Sequence, residues 1–306
     1  MKEKILALLE NDEFELAIDL VKGANDGKLY DSLIEETGMS NGFLLMPEWV
    51  GWEGSRTVFF LTILQYAPET ELIRKIWDET RGLYFRFDDE QIFPDTIFRF
   101  NNLTNLEIKY GNFKTLPPEI GSLQTFEDIT FKRNGVQVLP QEIGKLKNLR
   151  RLDLPENELG GVDSNLEAIA ELENLKILLL DWNDLQVIPA CIIPGLRRLN
   201  SISLNFNEFS QEGLDNLLHQ LSKLPELKEI FLRGCGIMTL PEIEGGFEKL
   251  TKLDLEQNEI VALPDFVAKI PNLEWLPLKE NPIYTDGSLK SNQKLKYEYE
   301  SWEYER

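Results

Sequence analysis

The side chains with the strongest intrinsic chemistry are few and scattered. One histidine, His219, and two cysteines, Cys191 and Cys235, stand in 306 residues. Covalent or acid–base catalysis needs a nucleophile, a base and an orienting group within hydrogen-bond reach. The sequence holds no H-E-x-x-H, C-x-x-C or G-x-S-x-G that would assemble one. Gly144-Lys145 has the end of a phosphate loop, but Leu146 stands where a metal-binding hydroxyl belongs and the earlier glycine is missing. Asp88-Asp89 could bind a cation, but solvated loop acids are far commoner. His219 is expected on a helix surface. No catalytic residue, metal site or cofactor is assigned, so the expectation is a non-enzymatic protein.

What remains is recognition chemistry, and composition narrows its class. There are 32 Lys and Arg against 53 Asp and Glu, a net charge of −21, which would repel phosphate backbones and argues against nucleic acid. With 42% apolar and 10% aromatic residues the chain can build a core. Two cysteines make no disulfide framework and suit a reducing compartment. The apolar start is cut off by Glu10, Asp12, Glu13 and Glu15, unlike a signal peptide, and Val58–Leu64 is far short of the ~20 residues that span a bilayer. A cytoplasmic protein without membrane contact is expected.

A periodic pattern would position the recognition residues. Leu103, Leu106, Ile108, Leu116-Pro117, Ile120 and Leu123 recur 23 residues on as Phe126, Ile129, Phe131, Leu139-Pro140, Ile143 and Leu146. Nine starts fall at 80, 103, 126, 149, 175, 199, 227, 250 and 273. Within each unit alternate residues are apolar, the signature of a strand with one buried face. A single such strand cannot bury that face, whereas stacked copies form a parallel sheet over a continuous leucine core. Asn134, Asn157, Asn183, Asn207, Asn258 and Asn281 recur where the chain leaves the strand, and are read as a hydrogen-bonded ladder. Cys235 takes the same place and is read as structural; Asp88 and Gly111 depart from the pattern. The longer units at 157–174 and 207–226 carry helical apolar spacing, which predicts α-helices near 166–172 and 210–221.

This pattern, L-x-x-L-x-L-x-x-N-x-L-x-x-L-P-x-x-I-x-x-L, resembles the leucine-rich repeat family, in its 23-residue class with an L-P-x-x-I segment found in intracellular and bacterial proteins. The resemblance covers residues 80–283. It implies an α/β solenoid, a horseshoe with a parallel sheet on its concave side, and little about function, because the family is defined by its scaffold. Three regions are expected: a helical N-terminal cap at 1–79, the repeats at 80–284, and a cap or tail at 285–306. An open solenoid end exposes core leucines and strand edges, so residues 1–79 read as a cover for the first rung. Trp49 and Trp52 are expected to seal it, and the aromatic tail, with Tyr297, Tyr299 and Trp302, reads as either a C-terminal cap or an ordered tail.

The outward strand positions then define a candidate docking face. Arg86, Lys109, Lys132 and Arg133 would lay a basic strip along its first half, and Leu179, Trp182, Phe206 and Phe231 an exposed apolar patch further on. The leading expectation is a module for protein–protein interaction, its partner anchored on the patch and oriented by the strip. The patch could instead be aromatics merely packed on one another. An enzyme or small-ligand receptor with its site in or beside 1–79 is one alternative, and a glycan- or lipid-recognition receptor another.

Overall fold

A computed structural model describes residues 1–11, 13–24, 26–36, 55–87, 93–161 and 164–285. Trp49, Trp52, Asp88, Asp89 and the tail beyond Thr285 lie outside the described residues. Each strand starts two residues after a start read from the sequence: β1 Gly82–Arg86, β2 Asn105–Lys109, β3 Asp128–Lys132, β4 Arg151–Asp153, β5 Ile177–Leu179, β6 Ser201–Ser203, β7 Glu229–Phe231 and β8 Lys252–Asp254. They form one parallel sheet in chain order. An isolated bridge from Lys252 to Trp275 continues it onto the ninth unit. The register aligns Leu83, Leu106, Ile129, Leu152, Leu178, Ile202, Ile230 and Leu253 in one column. All eight are at most 4% exposed, each contributing about 1.5–3 kcal/mol by leaving water.

The ladder is present and joins each rung to the last. Asn207 shows the arrangement. Its Oδ1 accepts from the amides of Asn183 and Leu185 at 3.1 and 3.0 Å, and its Nδ2 donates to the carbonyls of Leu180 and Leu204 at 3.0 and 2.8 Å. Asn157 and Asn258 repeat the pattern. Cys235 is buried and takes over part of the role, its thiol donating to the Leu204 carbonyl at 3.3 Å. Burial pushes that thiol up to about 12, so it carries no thiolate at neutral pH. At Gly111 only the backbone amide joins in, donating to Asn134 Oδ1 at 2.9 Å. A side chain has no room there, because a Cβ would lie 2.3 Å from the Phe113 ring.

The chain returns along the other side through short helical turns. Four 3-10 turns cover Asp95–Arg99, Pro118–Ser122, Gln141–Lys145 and Leu166–Glu171. The α-helix expected near 166–172 is therefore a single 3-10 segment: Asn165 enters it with φ 55° and Leu172 leaves the helical region after six residues. The other expected α-helix is present at Gln211–Leu221, its first turn capped by Ser210 Oγ accepting from the Gly213 amide at 3.1 Å. The next unit has no helical turn. Gly245 and Gly246, at φ 77° and 88°, carry the chain past it and leave an open cleft of about 650 Å³ beside His219, Lys223, Glu242 and Glu248.

Among the described residues the N-terminal region has five helices, α1 Lys2–Glu10, α2 Phe14–Lys22, α3 Gly27–Glu36, α4 Ser55–Tyr66 and α5 Glu71–Glu79. Helix α5 is capped by Thr70, whose Oγ1 accepts from Ile73 N and donates to Asp31 on α3 at 2.6 Å. The helices join the first rungs directly. Asn101 N bonds the Trp77 carbonyl at 3.1 Å, Arg99 lies 5.3 Å over the Trp77 ring, and Asn102 Nδ2 reaches the Asp78 carbonyl at 2.9 Å. Ile5, Tyr30, Leu33, Leu64 and Ile76 belong to the same apolar core as the repeat leucines. Among the described residues no helix is long and apolar enough to cross a membrane.

Candidate functional site

The outward face of the sheet is shaped by a backbone feature that sequence pattern does not reveal. The second residue after the third repeat leucine (or its equivalent) of each unit adopts positive φ in eight successive rungs: Tyr110, Arg133, Glu156, Trp182, Phe206, Gly234, Gln257 and Glu280, all between 55° and 65°. A non-glycine residue pays about 1–2 kcal/mol for this conformation. The amide of each residue from Tyr110 to Gln257 bonds a carbonyl of the next rung, as Trp182 N does with Asn205 O at 2.9 Å and Phe206 N with Arg233 O at 2.7 Å. The geometry is thus imposed by stacking, and it turns these side chains into one column.

In that column Trp182 and Phe206 are stacked, with ring centroids 4.2 Å apart and planes at 15°. Trp182 is still 53% exposed. The stack ends on Gly234, where a Cβ would stand 2.5 Å from Phe206 Cδ1, so the glycine is what lets the ring lie flat. The other two members of the expected patch sit apart from this stack, on the strands. Leu179 and Phe231 are half-buried on β5 and β7, with Ser203 of β6 between them in register. Phe231 packs edge-on against Trp275 at 6.3 Å, an aromatic that the sequence reading did not single out. The patch is two clusters side by side. Phe87, which the repeat pattern aligns with Tyr110, is buried against Phe113 instead.

The basic strip keeps its position but not its free charge. Lys109 pairs with Glu107 at 2.5 Å, Lys132 with Glu156 at 3.1 Å, and Arg133 with the same Glu156. Arg86 and Arg133 flank the Tyr110 ring at 4.7 and 5.6 Å. Carboxylates projecting from the same face neutralise the strip, and one-letter columns read singly hid this because the partners stand one column or one rung away. Past the aromatics, Arg233 pairs with Asp254 at 3.3 Å and Glu256 at 2.6 Å, and Lys252 with Glu229 at 2.9 Å. An apolar centre is therefore bordered on both sides by paired charges.

Four carboxyls on this face, Asp153, Asp181, Asp254 and Glu256, are held above the ordinary carboxylate range, chiefly because burial disfavours their charge. Arg151 moderates the effect at Asp153, and Arg233 at Asp254 and Glu256. A raised folded-state value means the folded chain binds these protons more tightly than the unfolded chain. Their ionisation thus costs stability as pH rises from the ordinary carboxylate range through the raised values. Lowering the pH from 7 to roughly 5 should raise the melting temperature at constant ionic strength, and relief of the −21 net charge acts in the same direction. A melting temperature that falls over this interval in scanning calorimetry would show that the ion pairs outweigh the burial cost.

His219 is exposed, with Nδ1 at 2.7 Å from the Asp215 carbonyl. Among the described residues no group of three or more His, Cys, Asp or Glu could hold a metal ion.

A family model described as a leucine-rich repeat region matches residues 88–232. Osteomodulin of Rattus norvegicus is 30% identical over 137 residues, which cover 44% of this chain and 30% of that protein. The chain spans less than a third of each of the curated relatives it matches. Among solved structures, the leucine-rich repeat domain of the type III effector XopL aligns over 90% of this chain and 88% of its own, with TM-score 0.56 and 22% identity. A chain from the octameric complex of Latrophilin 3, Unc5D and FLRT2 aligns over 75% of this chain and 69% of its own, with TM-score 0.54 and 19% identity. At these identities the structural likenesses concern the fold. With the period, the asparagine ladder and the single parallel sheet joined by these matches, the chain has the leucine-rich-repeat fold, and residues 88–232 match the family's model.

Proposed function

We propose that this protein is a non-enzymatic docking module that receives a protein partner on the outward face of its sheet. The observation that carries the reading is the Trp182–Phe206 stack, held half in solvent by a strained backbone column. Large aromatics left exposed in an ordered place are the usual anchors of interfaces. Leu179 and Phe231, reinforced by Trp275, extend the apolar centre, and the paired charges around it form a polar rim. Arg86, Lys109, Lys132 and Arg133 orient the partner from the first rungs. The leucine-rich repeat of FLRT2, a relative in fold, is named in a structure of a multi-protein complex, and repeat proteins of this kind offer extended binding faces rather than reaction pockets.

The test is quantitative co-purification from the native cell with wild-type protein and a double variant, Trp182→Ala with Phe231→Ala. Both side chains are partly in solvent, so folding should change little. Partner affinity should drop by about 2 kcal/mol or more, roughly thirtyfold. An unchanged set of captured proteins would remove this face from consideration.

A further inference from the structure

Among the described residues three acids of this face, Asp128, Asp181 and Glu280, have no Lys or Arg within ion-pair distance, and of these Asp181 is the one set between the apolar clusters. Glu107, Asp153, Glu156, Glu229, Asp254 and Glu256 each have a Lys or Arg within ion-pair distance. Asp181 has none among the described residues. Its Oδ1 accepts from Ser203 Oγ at 2.5 Å and from the Asn205 amide at 2.7 Å, which draws the carboxylate forward over β6. Ser203 and Asn205 are small, bonded to each other at 3.0 Å, and buried. They make a low floor between Leu179 and Phe231, whose strands lie about 10 Å apart across β6. The residue after Asp181 is Trp182, and Asn205 is followed by Phe206, so the carboxylate is set beside the aromatic stack.

This arrangement matters once the face is covered. A carboxylate taken out of water without a counter-charge is strongly disfavoured, and Asp181 already resists ionisation because of its burial and the charge of Asp153. A partner closing over it with apolar groups alone would bear that penalty. A guanidinium meets every local requirement: it is planar, stacks on aromatic faces, stays charged, and donates to the carboxylate oxygen that Ser203 and Asn205 leave open. The −21 net charge draws cationic segments toward the molecule. Resting on the docking reading above, we infer that the partner is a basic protein segment that sets an arginine side chain between Leu179 and Phe231, paired with Asp181 and stacked against Trp182.

The probe is a capped Leu-Arg-Leu tripeptide, with Leu-citrulline-Leu as its uncharged twin. Binding is followed by the indole NMR signal of Trp182, assigned with Trp182→Phe. The arginine peptide should move this signal saturably and at least tenfold more tightly than the citrulline peptide. Asp181→Asn should bring the two level. That variant keeps an oxygen for Ser203 and Asn205, and should melt at or above the wild-type temperature. Equal binding of the two peptides, a signal that neither moves, or an arginine preference that survives in Asp181→Asn overturns the inference. Asp181→Asn in the co-purification separates the two readings: capture lost on Trp182→Ala with Phe231→Ala but kept at full strength in Asp181→Asn removes the arginine and leaves the docking face.

Discussion

Replacing Asn207 with alanine should lower the unfolding free energy by about 3 kcal/mol or more, a large part of the stability of an ordinary domain. The side chain serves four backbone groups of two rungs: the amides of Asn183 and Leu185 and the carbonyl of Leu180 in one, and the carbonyl of Leu204 in its own. Asn207 itself is fully buried. Alanine leaves three of them without a partner, since the Leu204 carbonyl keeps the Cys235 thiol, and an orphaned buried polar group costs about 1–3 kcal/mol. Even the low end of that range, taken three times, reaches the stated loss. The neighbouring Glu208 is exposed, and its change to alanine should stay within about 0.5 kcal/mol. Urea unfolding of the pair provides the measurement. A loss under about 1 kcal/mol for Asn207→Ala would mean that water enters and replaces the amide.

Gly195→Ala should cost about 3 kcal/mol, from the opposite side of the molecule. A Cβ at this position would fall 2.2 Å from the Ala170 carbonyl oxygen and 3.0 Å from its carbon. Both obstacles are backbone, pinned within adjacent helical turns, so relief requires the two turns to separate. Overpacking of this kind is typically worth 1–3 kcal/mol, occasionally more. Gly121 stands in the same relation to Glu142 O at 2.5 Å, and Gly144 to Ala168 O at 2.9 Å. These glycines set how closely successive turns approach, and none of the three has a positive φ. Gly161 provides the contrast, since nothing lies within 4 Å of its would-be Cβ. Alanine there should be neutral or slightly stabilising through the unfolded chain. Equal melting temperatures for Gly195→Ala and Gly161→Ala would defeat the argument.

The strands, their register and the buried ladder were legible because each depends on residue type at a fixed interval. An apolar residue every second position and an asparagine every 23 leave few other structures open. The segment Leu166–Glu171 was misjudged because helical spacing of apolar residues is shared by short 3-10 turns and α-helices, and six residues are too few to separate them. Gln211–Leu221, with eleven residues and a serine cap, was long enough to be unambiguous. On the outward face of the sheet, sequence columns put Trp182 and Phe206 in neighbouring rungs of one column, where the rings stack, but the pairing of Lys132 and Arg133 with Glu156 depends on relations between columns. The left-handed column was hidden for a different reason. Tyr, Arg, Glu, Trp, Phe and Gln do not prefer that conformation, and only the next rung compels it. Asp181 was likewise visible as a letter, while its lack of a counter-ion emerged only with its neighbours in place.

The pairing of charges between rungs bears on how such a molecule can change over evolutionary time. Duplication or loss of one unit splices like to like inside, since leucine meets leucine, and at most junctions asparagine meets asparagine. On the face the same event reassigns partners. Loss of the fourth unit would strand Lys132 and Arg133 without Glu156, and an added copy after the seventh would separate Arg233 from Asp254 and Glu256. Interchangeable units within and unique neighbours without give a lineage freedom to alter its length, while any such alteration rewrites what the surface can recognise.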